Sequence, residues 1–213
     1  MKFLGPHACE EALARGELQV LRVAPTAWDR QARLREAARA KGVVIHREPV
    51  EALDRLRTRG AAALILALDG VTDPHNFGAI LRTAAAAGVD GVVFPERRSA
   101  QVNEAVVRAS AGTAGRVPLV RVVNLGRALD ELKEAGAWIY GLAAGPGSQS
   151  LFREAFDRAT VLVLGSEGEG LHQKIAERCD GLLEIPMPGG TESLNVSAAA
   201  AVALYQALAR RGG

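Results

Sequence analysis

Cysteine and aromatic residues are scarce in this sequence, and it has no long apolar run. The chain of 213 residues contains only Cys9 and Cys179, which lie far apart and show no metal-binding spacing. We therefore expect reduced thiols, a cytoplasmic protein and no metal site. No run of about 18 apolar residues is present, which predicts no membrane span. The N-terminus becomes charged too early for a signal peptide.

Charge of one sign is not in excess overall, because the net charge is only +2, but its distribution is uneven. Residues 1–60 hold 12 Lys or Arg and 8 Asp or Glu, whereas the remaining residues hold 14 and 16. The basic segment is consistent with contact to an anionic partner, and equally with an ordinary solvated basic surface. Aromatic residues make up 4%, so base stacking is a weak candidate for any nucleic-acid recognition.

Apolar runs without alternation recur between helix-like segments from residue 63 onward. Such runs are typical of strands that are covered on both faces, and strands alternating with helices indicate a parallel sheet. We therefore predict an α/β fold, a parallel sheet with helices on both faces. The predicted strands are Ala63–Gly70, Gly91–Pro95, Trp138–Ala144, Thr160–Glu167 and Gly181–Pro186. The predicted helices are Phe77–Ala87, Asn103–Ala111, Leu125–Ala135, Leu171–Arg178 and Val196–Arg210.

The first 60 residues have a pattern of their own. Strands are predicted at Leu18–Ala24 and Val43–His46, and helices at Ala27–Gly42 and Val50–Arg59. The stretch Thr58–Ala62 resembles a join between two domains. We therefore predict two domains, a small α/β domain at 1–60 and a larger domain at 61–213.

Three loops at strand-to-helix connections contain the polar residues of interest. The first, "DGVTDPHNFGAILRTA", has Thr72 or Asp73 as a helix cap, followed by Asn76, Gly78 and Arg82. Ligands of such sheets bind beyond the carboxyl ends of the strands, where these loops lie. A capped helix with a surface arginine explains this loop about as well as a binding site does.

The second loop, "VLVLGSEGEGL", is rich in glycine but lacks the Gly-Lys-Ser/Thr ending of a phosphate-binding loop. Its glycines are spaced G-x-x-G-x-G, which disfavours a nicotinamide dinucleotide site. The third loop, "EIPMPGGTESLNVSAAAAV", has Ser193 as a plausible helix cap and Asn195 two residues later. Capping explains Ser193 alone, but not Asn195 beside the glycine pair.

Together the three loops resemble motifs 1, 2 and 3 of the SpoU family of RNA ribose 2′-O-methyltransferases, in the SPOUT superfamily. The resemblance covers about residues 63–210, and the motifs agree in order and spacing. The phrases "LDGVTDPHNFGA" and "RSAQVNEAVVRASAGTAGRVPLVRVVNL" are most similar to a subgroup that methylates a guanosine ribose of 23S rRNA. The opening "GPHACEEAL" resembles the start of a small RNA-binding domain similar to a ribosomal protein. The chain departs from these relatives at Arg57–Ala63, where they usually have a longer join.

The resemblance implies a C-terminal deep trefoil knot, a homodimer with the site near the dimer interface, and S-adenosylmethionine as the cofactor. It implies that Arg82 is the central catalytic residue, with Asn76, Glu167, Ser193 and Asn195 beside it. Glu167 would hold Arg82 or a loop of the partner subunit. The implied cofactor-binding residues are Ala143, Leu164, Gly165, Glu167, Gly168, Ile185, Met187, Ser193 and Leu194.

The expected reaction transfers a methyl group from a sulfonium to a ribose 2′-oxygen of RNA, without a metal. His75 and His172 lie near the motifs and are interpreted as surface residues. Three alternatives stay open: a tRNA ribose methyltransferase, an enzyme that confers antibiotic resistance at another rRNA nucleotide, and a non-catalytic RNA-binding assembly factor.

Overall fold

The computed structural model describes residues 6–16, 20–23, 32–47 and 50–212. Within them the chain alternates strands and helices from its beginning to its end. The strands are β1 Val20–Val23, β2 Val44–Arg47, β3 Leu64–Leu68, β4 Gly91–Pro95, β5 Leu119–Val122, β6 Trp138–Leu142, β7 Gln149–Ser150, β8 Thr160–Leu164 and β9 Gly181–Glu184. The helices are α1 Pro6–Ala14, α2 Ala32–Ala40, α3 Val50–Arg59, α4 Pro74–Ala86, α5 Glu104–Ala109, α6 Leu125–Glu134, α7 Gln173–Ala176 and α8 Val196–Arg211.

The described strands form one sheet in the order β1-β2-β5-β4-β3-β8-β6-β9-β7, and each of their pairings is parallel. β8 lies between β3 and β6, although it follows β6 in the chain. Because all strands run the same way, the loops after β3, β4, β5, β6, β8 and β9 meet at one edge of the sheet. This edge is called the carboxyl edge below.

Helices cover both faces of the sheet, as the sequence predicts. On one face, Phe77 and Ile80 of α4 pack in a core with Ala200 and Leu204 of α8. On the other face, Leu129 of α6 belongs to a second core that also contains residues of α3 and α7. All five residues of β3 are buried, as are all five of β8, which explains the continuous apolar runs in the sequence. The parallel α/β prediction is therefore confirmed.

Asparagine and aspartate caps determine where several helices begin. The Asp73 carboxylate accepts a hydrogen bond from the backbone N–H of His75, and Pro74 occupies the first helical position of α4, as predicted. Asn103 and Asn124 cap α5 and α6 in the same way. Asn195 caps α8, so the prediction of Ser193 as its cap is wrong. Among the described helices, none is long and apolar enough to cross a bilayer.

Two short strands escaped the sequence prediction. β5 contains Arg121 and is only four residues long, so its apolar run is interrupted, and β7 has two residues. The helix predicted at Leu171–Arg178 forms only over Gln173–Ala176. Residues 24–31, which include the predicted beginning of the helix at Ala27, lie outside the described residues.

The first 60 residues continue the main sheet, because β2 pairs with β5 through His46–Leu119 and Arg47–Val120. Ala52 and Leu56 of α3 are buried in the same core as α6. The stretch predicted as a join is the end of α3 followed by a short 3₁₀ turn at Gly60–Ala62. The division into two domains at residue 60 stays a prediction.

Candidate active site

A pocket of about 550 Å³ lies at the carboxyl edge, where the loops after β6, β8 and β9 meet the start of α8. This volume is within the usual range for sites that bind small molecules and cofactors. All nine residues that the sequence predicts as cofactor-binding line this pocket: Ala143, Leu164, Gly165, Glu167, Gly168, Ile185, Met187, Ser193 and Leu194. The fold therefore gathers into one concave surface residues that are up to 51 positions apart, between Ala143 and Leu194.

The charge of this pocket is entirely of one sign. Four glutamates line it, Glu167, Glu169, Glu184 and Glu192, and no Lys, Arg or His does. Glu184 accepts a hydrogen bond from the Ser148 hydroxyl at 2.6 Å. An acidic pocket attracts a cationic ligand and repels a polyanionic one. This charge disfavours a dinucleotide, in agreement with the glycine spacing.

A cluster of three side chains connects the predicted motifs beside the pocket. Asn76 Nδ2 donates to Glu167 Oε2 at 2.7 Å. Asn195 Nδ2 donates both to Asn76 Oδ1 and to Glu167 Oε1, at 3.0 Å each. Each Asn195 amide proton thus has an acceptor, and both Glu167 oxygens are used. We call Asn76, Glu167 and Asn195 the motif cluster.

Asn195 also anchors α8. Its Oδ1 accepts from the Ser197 backbone N–H at 2.9 Å and from the Ser197 hydroxyl at 2.6 Å. One side chain therefore caps a helix with its oxygen and binds two other motifs with its nitrogen. Ser193 lines the pocket but is exposed and does not cap the helix.

Arg82 lies apart from the motif cluster. Its side chain is exposed on α4, it does not line the pocket, and within the described residues it forms no hydrogen bond or ion pair. Both Glu167 oxygens are engaged by asparagine amides instead. Within this chain Glu167 bonds Asn76 and Asn195 rather than Arg82, and its role toward Arg82 or a loop of the partner subunit stays a prediction. The guanidinium remains available to a ligand or to another protomer.

Two motif glycines are required by packing within the protein. A Cβ at Gly165 would lie 2.1 Å from the Gly170 carbonyl carbon, where the loop closes through hydrogen bonds between Ser166 and Gly170. A Cβ at Gly78 would lie 2.5 Å from the Ala109 Cβ, at the contact of α4 with α5. Gly168 differs, since it has a φ of +92° and open space around its Cα.

Among the residues that the structure describes, no cysteine or histidine lines this pocket. Burial raises the pKa of the Cys179 thiol to about 11, so the thiol stays protonated at neutral pH. His172 keeps a surface position, with its side chain 38% exposed, and its Nδ1 lies 3.0 Å from Asp69 Oδ1. Over the described ranges, no group of three or more His, Cys, Asp or Glu residues could hold a metal ion.

Comparison with known proteins identifies the family. The sequence model of the SpoU rRNA Methylase family matches residues 63–205. The chain belongs to this family. The SpoU match begins just before β3 and includes the motif cluster, Arg82 and all nine predicted pocket residues.

The chain is 45% identical to the 23S rRNA (guanosine-2′-O-)-methyltransferase RlmB of Xanthomonas campestris, over 84% of this chain and 83% of that protein. Among solved structures it is similar to the SpoU methyltransferase AviRb of Streptomyces viridochromogenes in complex with AdoMet. That match has 32% identity and a TM-score of 0.67, and it covers 76% of this chain and 63% of AviRb. The TrmH/SpoU tRNA modifying enzyme of A. aeolicus matches with 33% identity and a TM-score of 0.65, over 77% and 84% of the two chains.

Sequence reasoning missed several residues of this SpoU site. Glu169, Glu184 and Glu192 line the pocket, and Ser197 completes the hydrogen bonds of Asn195. The three glutamates lie in or beside the loops that follow β8 and β9, so their position after predicted strands was the available signal. Ser197 carried no signal, because a serine in the first turn of a helix is common.

The two roles of Asn195 can be separated by mutation. Asn195→Asp keeps the oxygen that caps α8 but removes both amide donors and places a second carboxylate beside Glu167. We expect the free energy of unfolding to fall by about 1–3 kcal/mol, because a polar contact is replaced by repulsion. Chemical denaturation would measure this change.

The matched control for Asn195→Asp is Asn103→Asp on α5. Asn103 also caps a helix with its oxygen, by accepting from the Val106 N–H at 3.2 Å. A carboxylate at a helix N-terminus is favourable, so this variant should be as stable as the wild type or slightly more so. Equal effects of the two substitutions would contradict a stabilising role for the motif cluster.

Proposed function

We propose that this protein transfers a methyl group from S-adenosylmethionine to a ribose 2′-hydroxyl of RNA, with a guanosine of 23S rRNA as the target. The observation that carries the proposal is the acidic pocket lined by all nine predicted cofactor residues, with the motif cluster beside it. The named activity of the RlmB relative, which is 45% identical, supports the target. The AviRb structure with AdoMet supports the cofactor.

The pocket fits the charge and shape of this cofactor. S-adenosylmethionine has a positive sulfur, a positive amino group and one carboxylate, and its net positive charge suits a pocket with four glutamates and no basic residue. The apolar side chains of Leu164, Ile185 and Leu194 offer contacts for a planar base. Backbone groups of Ala143 and Gly165 can bond its polar edges. Bound there, the cofactor supplies a methyl group on a positively charged sulfur.

The protein's own contribution is alignment and charge stabilisation. Displacement at a methyl carbon requires the attacking oxygen, the carbon and the sulfur to lie in line, which a rigid site achieves by fixing both partners. The motif cluster holds α4, the glycine loop and the start of α8 at fixed positions. Asn76 and Asn195 orient the ribose side of the pocket, and Ser193 contacts the substrate from the loop.

Arg82 is proposed to bind a phosphate next to the target ribose and to stabilise the negative charge that develops on the 2′-oxygen. A guanidinium does not lose its proton in proteins, so it acts here as a donor and not as a base. The described residues include no hydrogen-bond or ion-pair partner of its side chain, which is consistent with this task. The proton passes to phosphate or to water.

A knot and a homodimer belong to the same proposal. The loops after β6, β8 and β9 surround one pocket, and β8 enters the sheet between β3 and β6. This order is compatible with a trefoil knot at the C-terminal end. Tyr205 of α8 is 53% exposed and Leu194 is 38% exposed, which gives an apolar surface for a second copy. Through that contact Arg82 would approach the partner's pocket, and residues 1–60 would form a small RNA-binding module.

The direct experiment measures transfer of a labelled methyl group to separate pools of 23S rRNA and tRNA, followed by mapping of the methylated ribose. We expect a single labelled guanosine in 23S rRNA and none in tRNA. Label in tRNA alone would retain the reaction and overturn the target. Cofactor binding without label in naked or assembled RNA would favour a non-catalytic binding protein.

A further inference from the structure

A second concave surface lies at the carboxyl edge, on the other side of the glycine loop. It has a volume of about 770 Å³ and lies over the ends of β3, β4 and β5, between the start of α6 and α7. Its charge is opposite to that of the cofactor pocket. Four cationic side chains line it, Arg97, Arg98, Lys174 and Arg178. We call this surface the basic groove.

The cations of the basic groove are largely uncompensated. Arg97, Arg98 and Lys174 are exposed, and within the described part of the chain their side chains form no hydrogen bond or ion pair. The charge of Arg178 is partly neutralised by an ion pair, in which its Nε lies 3.2 Å from Asp130 Oδ2. Its side chain is still 38% exposed. Clustering four like charges in a concavity costs free energy, because each raises the potential at the others.

The single carboxylate of the basic groove does not neutralise it. Asp69 is only 6% exposed, and its two oxygens are used by His172. Oδ2 accepts from the His172 backbone N–H at 2.9 Å, and Oδ1 lies 3.0 Å from Nδ1 of the ring. The carboxylate therefore fixes the wall of the groove, and the exposed charge is positive.

Two features of the backbone favour fixed positions for Arg98 and Arg178 in the groove. Arg98 has a φ of +57°, a region that a residue with a side chain enters at a cost of about 1–3 kcal/mol. A Cβ at Gly126 would lie 2.9 Å from Arg178 Nε, so the absence of a side chain there lets the guanidinium lie against the start of α6. Val123, which is 85% exposed, supplies an apolar contact in the same surface.

The basic groove and the acidic pocket share a wall. Gly70 lines the groove and Ser166 lines the pocket, and a Cβ built on Gly70 would lie 3.4 Å from the Ser166 Cβ. The chain passes from one surface to the other between Leu171, which lines the pocket, and His172, which lines the groove. A polyanion that lies in the groove would therefore reach the edge of the cofactor pocket.

From this geometry we infer that the basic groove binds the backbone phosphates of a single-stranded RNA segment next to the target nucleotide. The inference rests on the proposed function, since it assigns a path to the RNA of that reaction. Lys and Arg contacts to phosphates position RNA without reading its sequence, which suits a groove whose lining residues include no Phe, Tyr or Trp. The guanosine itself would be selected elsewhere.

The test measures binding of a short fluorescein-labelled single-stranded RNA by anisotropy, as a function of salt, for the wild type and Arg97→Gln/Arg98→Gln. Each phosphate contact on single-stranded RNA contributes about 0.7 to the slope of log K against log salt. We expect the double variant to lower that slope by about 1.4 and the affinity at low salt by about 10- to 100-fold. Its affinity for S-adenosylmethionine should not change, and its melting temperature should stay the same or rise slightly, because two like charges are removed from the groove.

Arg108→Gln/Arg153→Gln is the matched control, because both arginines are exposed, lie outside the groove and remove the same charge. It should keep the wild-type slope. An unchanged slope in the groove variant, an equal loss in the control, or no RNA binding by the wild type would each overturn the inference.

The binding assay needs no methyl transfer, so the two proposals can fail separately. If the wild type binds RNA through the groove but methylates none, the proposed function fails and the groove stands. If the wild type methylates 23S rRNA and the groove variant keeps its slope, the groove fails and the function stands.

Discussion

Arg82→Ala is expected to lower the rate of methyl transfer by about 100- to 1,000-fold, which is the usual effect of removing a donor that stabilises developing negative charge. The exposed side chain forms no hydrogen bond or ion pair with the described residues, so its loss should leave the melting temperature unchanged. Cofactor affinity should also stay the same, because Arg82 does not line the pocket. Single-turnover transfer to 23S rRNA and calorimetric binding of S-adenosylmethionine would measure these quantities.

Two further variants define what Arg82 does. Arg82→Lys keeps the charge but loses the planar pair of donors, so it should recover only a small part of the rate. Arg108→Ala, on the neighbouring helix α5, removes an exposed arginine that pairs with Glu104 at 3.5 Å, and it should transfer methyl groups normally. Near-normal turnover by Arg82→Lys would exclude a bidentate contact between Arg82 and a phosphate. Normal turnover by Arg82→Ala would exclude any catalytic role for Arg82.

Gly165→Ala is expected to weaken binding of S-adenosylmethionine by about 100-fold or more. The added methyl group would lie 2.1 Å from the Gly170 carbonyl carbon and 2.4 Å from the Leu171 nitrogen, so the backbone of the loop must open. This loop forms one wall of the pocket. Overpacking of this kind costs about 1–3 kcal/mol, or a fall in melting temperature of about 2–12 °C.

Gly189→Ala is the control for this substitution. Gly189 lies in the loop after β9, has no atom within 4 Å of a built Cβ, and needs no left-handed backbone. It should bind the cofactor and melt as the wild type does. Wild-type cofactor affinity in Gly165→Ala would mean that the closed form of the loop is not the form that binds.

The buried strands and their helices could be predicted from sequence because each obeys a local rule. β3 and β8 are buried along their whole length, so their sequences are continuous apolar runs, and Asp73-Pro74 marks the start of α4 by capping chemistry. β5 was missed because Arg121 interrupts a four-residue strand, and β7 because two residues give no periodic signal.

Nine of the residues that line the pocket could be predicted from the sequence, but the hydrogen bonds of the motif cluster could not. The loop residues could be placed at one sheet edge because the strands are parallel and all end there. The hydrogen-bond partners of Glu167, in contrast, are Asn76 and Asn195, which lie 91 and 28 positions away in the chain. Ser193 and Asn195 are both good helix caps by residue type, and only the packing of α8 on α4 decides between them. The basic groove was missed for the same reason, because Arg97-Arg98 in a turn has no pattern until the sheet brings Lys174 and Arg178 beside it.

The bonds of Asn195 also bear on how the protein becomes active during synthesis. They join Asn195 to Asn76 across 119 positions of the chain. A ribosome adds about 5–20 residues per second, and a sheet with only parallel pairings has no local hairpin from which to start. The cluster therefore closes only after Asn195 has been synthesised, so a chain that stops just before that residue has all nine described strands and no motif cluster.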